Sequence, residues 1–139
     1  MDTSAILAII LNEQDSNLFK EALVGSDPLM STATRIELAH VVLRRLGPDG
    51  LAEVDGLLSD FGFRFVPLDE EQSTVALHAL TAFGKGRGAP PAVLNMGDTF
   101  SYALAKTRDL PLLYKGEDFA RTDIRSALAE RGGRGDEAE

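Results

Sequence analysis

Helical periods alternate with short extended apolar pieces along the whole chain, with no internal repeat and no linker between them. That order constrains the fold more than any other feature. Parallel strands need a crossover, usually a helix, and a sheet built this way is covered on both faces. An α/β domain with a short, mostly parallel central sheet is therefore expected. The 139 residues suit a single domain, which at this size buries roughly two-thirds of its unfolded surface around one core.

Residues 4–12 (SAILAIILN) read as a helix with Thr3 or Ser4 as cap, and residues 17–24 (NLFKEALV) as a second helix closed by Gly25. Residues 28–30 fit a short strand. Ser31 or Thr32 then caps a strong helix, TATRIELAHVVLRRL, in which Ile36, Ala39, Leu43 and Leu46 share the face expected to meet the core. Gly47 and Pro48 stop it. A helix follows from Asp49 to Phe61 with Leu51, Val54, Leu57 and Leu58 inward, and Phe63, Phe65 and Pro67 alternate as a strand does. Asp69 caps a helix reaching about Phe83. Residues 84–91 (GKGRGAPP) form a loop with Lys85 and Arg87 at its tip, Asn95 precedes another helix, and residues 110–114 (LPLLY) have the continuity of a buried strand. The expected domain spans residues 1–131, with 132–139 a disordered tail.

Composition removes several chemistries. With no cysteine there is no disulfide scaffold, no cysteine-held zinc and no thiol nucleophile, which fits a reducing compartment and makes the cytoplasm the default. Residues 1–11 lack the basic start of an export signal, and no apolar run approaches the roughly 20 residues that span a bilayer. A net charge of −8 opposes general affinity for nucleic acid, so such a partner would be held locally. No Walker-type loop or GxSxG elbow is present. His40 and His78 are not spaced as a metal pair and receive no role. Phe61, Phe63 and Phe65 are read as core or dimer contacts.

Carboxylates remain. Asp2 borders an apolar run, Glu37 lies within an amphipathic helix, Asp98 opens a helix and Asp118 follows a strand. Each has an ordinary structural explanation: a cap, a solvated stripe, a first-turn acid favoured by the helix dipole, and a turn. Together they mean more, because residues ending parallel strands and opening the following helices gather at the carboxyl edge of the sheet, where ligands bind. Four oxygen donors there would suit a hard divalent cation such as Mg²⁺, whose retained waters can share its shell with a phosphate. That is metal-nuclease chemistry.

The residues carrying a family likeness are Asp2-Thr3-Ser4-Ala5, then Ser31-Thr32-Ala33 leading to Glu37, then Leu94-Asn95-Met96-Gly97-Asp98 with Phe100-Ser101-Tyr102-Ala103-Leu104-Ala105. Leu112-Leu113-Tyr114-Lys115-Gly116-Glu117-Asp118-Phe119, running into Thr122-Asp123-Ile124, completes the set. In order and spacing the chain resembles the PIN-domain ribonucleases, specifically the VapC toxins of bacterial toxin–antitoxin pairs, over essentially its whole length to about Leu128. The resemblance implies a PIN-like three-layer α/β/α sandwich. It implies a metal-dependent endoribonuclease using Mg²⁺ or Mn²⁺, with Asp2, Glu37, Asp98 and Asp118 as the catalytic, metal-binding acids. Ser4 or Thr3, with Asn95, would orient them. Lys85, Arg87 and Lys115 are the candidates to guide RNA, a VapB-type antitoxin is the implied partner, and a homodimer is expected. The alternative is a catalytically weak PIN-like binding module with a regulatory or assembly role. One departure is plain: family members carry two or three apolar residues before the first Asp and here only Met1 precedes it, so a truncated first strand is expected.

Overall fold

The computed structural model describes residues 1–84 and 93–138. The sheet is nucleated by two three-residue strands, β1 (Leu29–Ser31) and β2 (Arg64–Val66), paired in parallel with Leu29 opposite Arg64 and Ser31 opposite Val66. On the other side of β1 the Met1 ammonium donates to Leu29 O at 2.9 Å, and Asp2 N–H donates to Leu113 O at 3.0 Å. Leu112 makes a parallel bridge with Ser126. The order across the sheet is therefore β2, β1, Met1–Asp2, Leu112–Leu113, Ser126. Met1 and Asp2 form no assigned strand, yet they hold the place of one. The strand expected over residues 110–114 is reduced to that single bridge, in keeping with Pro111, which has no N–H to donate.

Helix α1 (Thr3–Ile10) is capped one residue earlier than expected, by Asp2 rather than Thr3 or Ser4, with the Asp2 carboxylate accepting Ser4 N–H. Its apolar residues surround the axis, so it is buried on two sides. Ile6 packs with Met30, Leu38, Val42, Val54 and Leu58, while Ala5, Ala8 and Ile9 pack with Leu113 and with Phe19 and Leu23 of α2 (Ser16–Leu23).

Helix α3 (Thr32–Asp60) starts on the Ser31 cap, whose hydroxyl accepts Ala33 N–H. It breaks at Gly47, φ +71°, where Gly47 and Pro48 were expected to stop it. Its inward face is Thr34, Leu38 and Val42, continued by Val54 and Leu58 after the break. The expected core face is wrong: Ile36 is 72% exposed, and Leu43 and Leu46 also face outward. Two apolar stripes run along this helix, and polar contacts made by Thr34 and Glu37, described below, set which one turns inward. Phe61, Phe63 and Phe65 are half-buried against the core.

Helix α4 (Glu70–Phe83) is capped by Asp69 as expected and packs along α5 (Met96–Arg108), enclosing a third core of Ala79, Leu94, Tyr102, Ala105, Leu112 and Phe119. Helix α6 runs Ala127–Ala138, so the segment 132–138 read as a disordered tail is helical in its backbone. The helix is started by Ala127 N–H on Leu112 O, and extending an existing helix fixes only one residue per hydrogen bond. No helix among the described residues is long and apolar enough to cross a membrane.

Candidate metal centre

Asp2 sits at the carboxyl end of the Met1–Asp2 piece and is 3% exposed. Its Oδ2 accepts the Ser4 hydroxyl at 2.6 Å and Ser4 N–H at 3.1 Å, and its Oδ1 accepts the Ser101 hydroxyl at 2.8 Å. Ser4 Oγ in turn accepts Lys115 N–H at 2.9 Å, which ties α1 to the segment after Leu113. Glu37, near the start of α3, accepts the Thr3 hydroxyl on Oε1 at 2.7 Å. Its other oxygen lies over Gly97, where an added Cβ would stand 1.3 Å from Oε2. Only glycine lets α5 begin against this carboxylate.

Asp98 forms a reciprocal cap with Asn95: Asp98 Oδ2 accepts Asn95 N–H and Asn95 Oδ1 accepts Asp98 N–H, each at 2.9 Å. Asp118 is exposed, in the turn before the buried Phe119, whose ring packs 5.0 Å from that of Tyr114. The structural explanations for Asp2 and Asp98 thus hold alongside their place at the sheet edge.

Electrostatics link the four. Burial pushes the Asp98 carboxyl up to about 7, Asn95 N–H opposes the rise, and the carboxylates of Asp2, Asp118 and Glu37 add to it. Burial raises Glu37 as well, against the Thr3 hydrogen bond and with help from Asp2, and both burial and Asp2 raise Asp118. None of the four takes part in a salt bridge among the described residues. As the side chains stand, no three metal-ligating residues among those described are close enough to grip one ion directly.

A PIN-domain family model matches residues 1–125. Ribonuclease VapC42 of Mycobacterium tuberculosis is 44% identical over 128 residues, covering 91% of this chain and 97% of its own. The chain is a VapC-type PIN domain. Ribonuclease VapC of Mycolicibacterium smegmatis is likewise 44% identical, over 126 residues, 89% of this chain and 95% of that one. The crystal structure of Mycobacterium tuberculosis VapC20, described as a toxin cleaving the sarcin–ricin loop, matches with a TM-score of 0.70 over 88% of this chain and 93% of that one. At 14% identity that likeness bears on the fold, which is α/β with a small parallel sheet.

In this PIN domain Asp2, Glu37, Asp98 and Asp118 are brought to one edge, with Ser4 and Asn95 bonded to two of them. Lys115 contributes its main-chain N–H there. Its ammonium is held by Glu13 and by Asp15, the latter at 3.1 Å, and these bonds raise its pKa. Lys85 and Arg87 lie outside the described residues. His40 and His78 are exposed. Sequence reasoning missed Ser101, Thr34 and the need for Gly97. Ser101 had a usable signal, since it lies three residues after Asp98 on the same face of α5. A large apolar cavity of about 830 Å³ lies elsewhere, lined by residues such as Met1, Leu23, Leu29, Leu104, Leu112 and Ala127 and by none of the four acids. For a divalent cation the fit rests on the donor set: oxygen-only, anionic, partly buried and, among the described residues, in no salt bridge to a basic side chain. Mg²⁺ needs only one or two carboxylates directly and keeps several waters.

Proposed function

We propose that this PIN domain is a metal-dependent endoribonuclease that hydrolyses RNA phosphodiester bonds as the toxin of a VapBC-type pair in the cytoplasm. The observation that carries the reading is the set of mutually repelling carboxylates around Asp98, in a chain 44% identical to relatives named as VapC ribonucleases. Asp2, Asp98 and Asp118 would hold Mg²⁺ or Mn²⁺, with Glu37 either joining them or accepting a proton from the attacking water. When bound, the ion lowers the pKa of water and offsets charge on the phosphate. Ser4 holds one oxygen of Asp2, Asn95 holds Asp98 at the first turn of α5, and Thr3 holds Glu37. Together these bonds hold three of the four carboxylates in place.

RNA approaching this edge is repelled until a cation is present, and Lys85 and Arg87 are the groups we assign to guiding it, with Lys115 joining them only on release from Glu13 and Asp15. A VapB-type antitoxin would place an apolar helix in a groove of the toxin and bring an Arg or Lys to the acids. The outward apolar side chains Ile36, Leu43 and Leu46 on α3 and Leu77 and Leu80 on α4 support a homodimer. The test is to incubate the purified protein with total RNA in Mg²⁺, Mn²⁺ or EDTA and map the new ends by sequencing. Discrete cleavage that needs a divalent ion is expected. Equal cleavage in EDTA overturns the reading, and binding without cleavage leaves a PIN-like regulatory module.

A further inference from the structure

Helix α5 carries three small hydroxyl residues besides its aromatic positions, and they behave differently. Thr99 donates back to Met96 O at 2.6 Å and Thr107 to Ala103 O at 2.8 Å, the local bond such side chains normally make within a helix. Ser101 does not. It is 2% exposed and spends its hydrogen on Asp2 Oδ1, 99 residues away in sequence.

Counting hydrogens gives this contact a direction. A serine or threonine hydroxyl has one proton to donate. Ser101 gives its proton to Asp2, so in the 3.3 Å contact between Ser101 Oγ and Thr34 Oγ1 Thr34 is the donor. Thr34 is fully buried, which leaves no water to compete for either hydroxyl. The chain thus runs from Thr34 on α3, through Ser101 on α5, to Oδ1 of Asp2. Its counterpart runs from Lys115 N–H through the Ser4 hydroxyl to Oδ2. Each oxygen of one carboxylate is held by a hydroxyl that is itself held by a donor from a different segment.

We propose that Ser101, oriented by Thr34, is a positioning residue that fixes the plane of the Asp2 carboxylate for a divalent cation, as Ser4 does from the opposite side. This rests on the reading of the acids as metal ligands. Groups that hydrogen-bond a ligating carboxylate set its direction, and losing one typically weakens metal affinity by about 10–100-fold. A serine kept only as a small core residue would instead be replaceable by alanine with no effect on metal.

The test measures Mn²⁺ affinity of the full chain by titration with electron paramagnetic resonance of free Mn²⁺, alongside melting of the metal-free protein. Ser101→Ala is expected to weaken binding about tenfold with a small change in metal-free melting. Thr34→Val should weaken it less, about a few-fold, because Thr34 does not touch the carboxylate itself. The double variant should be no weaker than Ser101→Ala alone, because Thr34 acts only through Ser101. The exchange Thr34→Ser with Ser101→Thr keeps both hydroxyls and the total volume, and should restore affinity. Unchanged affinity in Ser101→Ala, additive losses in the double variant, or no recovery in the exchange each overturns the inference. Should Ser101→Ala fail to fold, Thr34→Val and the exchange decide it. A parent chain that binds no Mn²⁺ overturns the metal reading and this inference with it, whereas a parent that binds while Ser101→Ala binds equally well overturns the inference alone.

Discussion

Two clusters anchored on α5 treat negative charge in opposite ways. Tyr102 donates to Asp123 Oδ1 and Lys106 to Asp123 Oδ2, each at 2.6 Å. Burial pushes the Asp123 carboxyl up, but these two donors outweigh it and hold the group below its ordinary value. One turn nearer the start of the same helix, Asp98 meets Asp2, Glu37 and Asp118 with only a main-chain N–H to oppose burial and repulsion, and rises to about 7. The residue type and the helix are the same. The difference is that, among the described residues, one cluster contains a side-chain cation and the other does not, so the four acids at the sheet edge need balancing charge from elsewhere. A metal, or the basic side chain of a partner, meets that need.

The widest separation between the two clusters should appear in catalysis. Asp98→Asn keeps the shape and the Asn95 contact but removes a charge, and RNA cleavage is expected to fall by on the order of 10²–10³, the usual loss when one charge-stabilising group is removed. Asp123→Asn should cleave within a few-fold of the parent. A gel assay on one RNA in Mg²⁺ decides, and full activity of Asp98→Asn removes it from the catalytic set.

The acids of the open cluster were legible because each sits at an end: Asp2, Asp98 and Asp118 border elements whose order alone leads to the carboxyl edge of a parallel sheet, and the family motifs agree with it. The hydroxyls behind them were not. Thr34 and Ser101 are 67 residues apart, and no local pattern links a threonine in the first turn of one helix to a serine in the second turn of another. The rotation of α3 was hidden for a related reason. Ile36, Leu43 and Leu46 are as apolar as Leu38 and Val42, and the choice between stripes depends on Thr34 and Glu37 reaching Ser101 and Thr3. Asp123 was quoted only as part of a motif, since its cation lies 17 residues earlier on α5.

The next contrast is in stability against pH. A carboxyl raised to about 7 in the fold and near 4 in the unfolded chain favours folding fully below about 4, and that contribution is lost as the pH rises through about 7. The metal-free protein should therefore lose on the order of 4 kcal/mol from this group across that window. Asp98→Asn should melt higher than the parent at pH 8, the gap narrowing as the pH falls and closing near pH 4. Parallel melting curves for the two proteins from pH 5 to 8 would show that Asp98 does not carry the strain.

A smaller effect is expected from the ion itself. Mg²⁺ at a hundredfold excess over its Kd adds about 2.7 kcal/mol by binding only the folded state, and for a domain of this size each kcal/mol moves the melting temperature by roughly 3–4 °C. The parent should gain close to that amount, Asp98→Asn markedly less, and Asp123→Asn the same as the parent. If Mg²⁺ shifts all three equally, the acids at the sheet edge are not a metal site.

The smallest effect belongs to the balanced cluster and has the opposite sign. Asp123→Asn keeps an oxygen for Tyr102 but loses the attraction of Lys106. The pair is about half exposed, with side-chain accessibilities of 47% each, so solvent screening limits the loss to about 1 kcal/mol or less. Because Asp123 is held below its ordinary value, its contribution is present above about pH 4 and disappears as the pH falls through its folded-state value. Asp123→Asn should thus melt a few degrees below the parent at pH 7 and draw level with it under acid, whereas Asp98→Asn starts above the parent at high pH and also draws level as acid is added. Denaturation series at pH 3, 5, 7 and 8 on the three metal-free proteins distinguish these courses. Should Asp123→Asn stabilise the protein at neutral pH, Lys106 does not compensate that carboxylate, and the distinction between a self-balanced cluster and an open one fails.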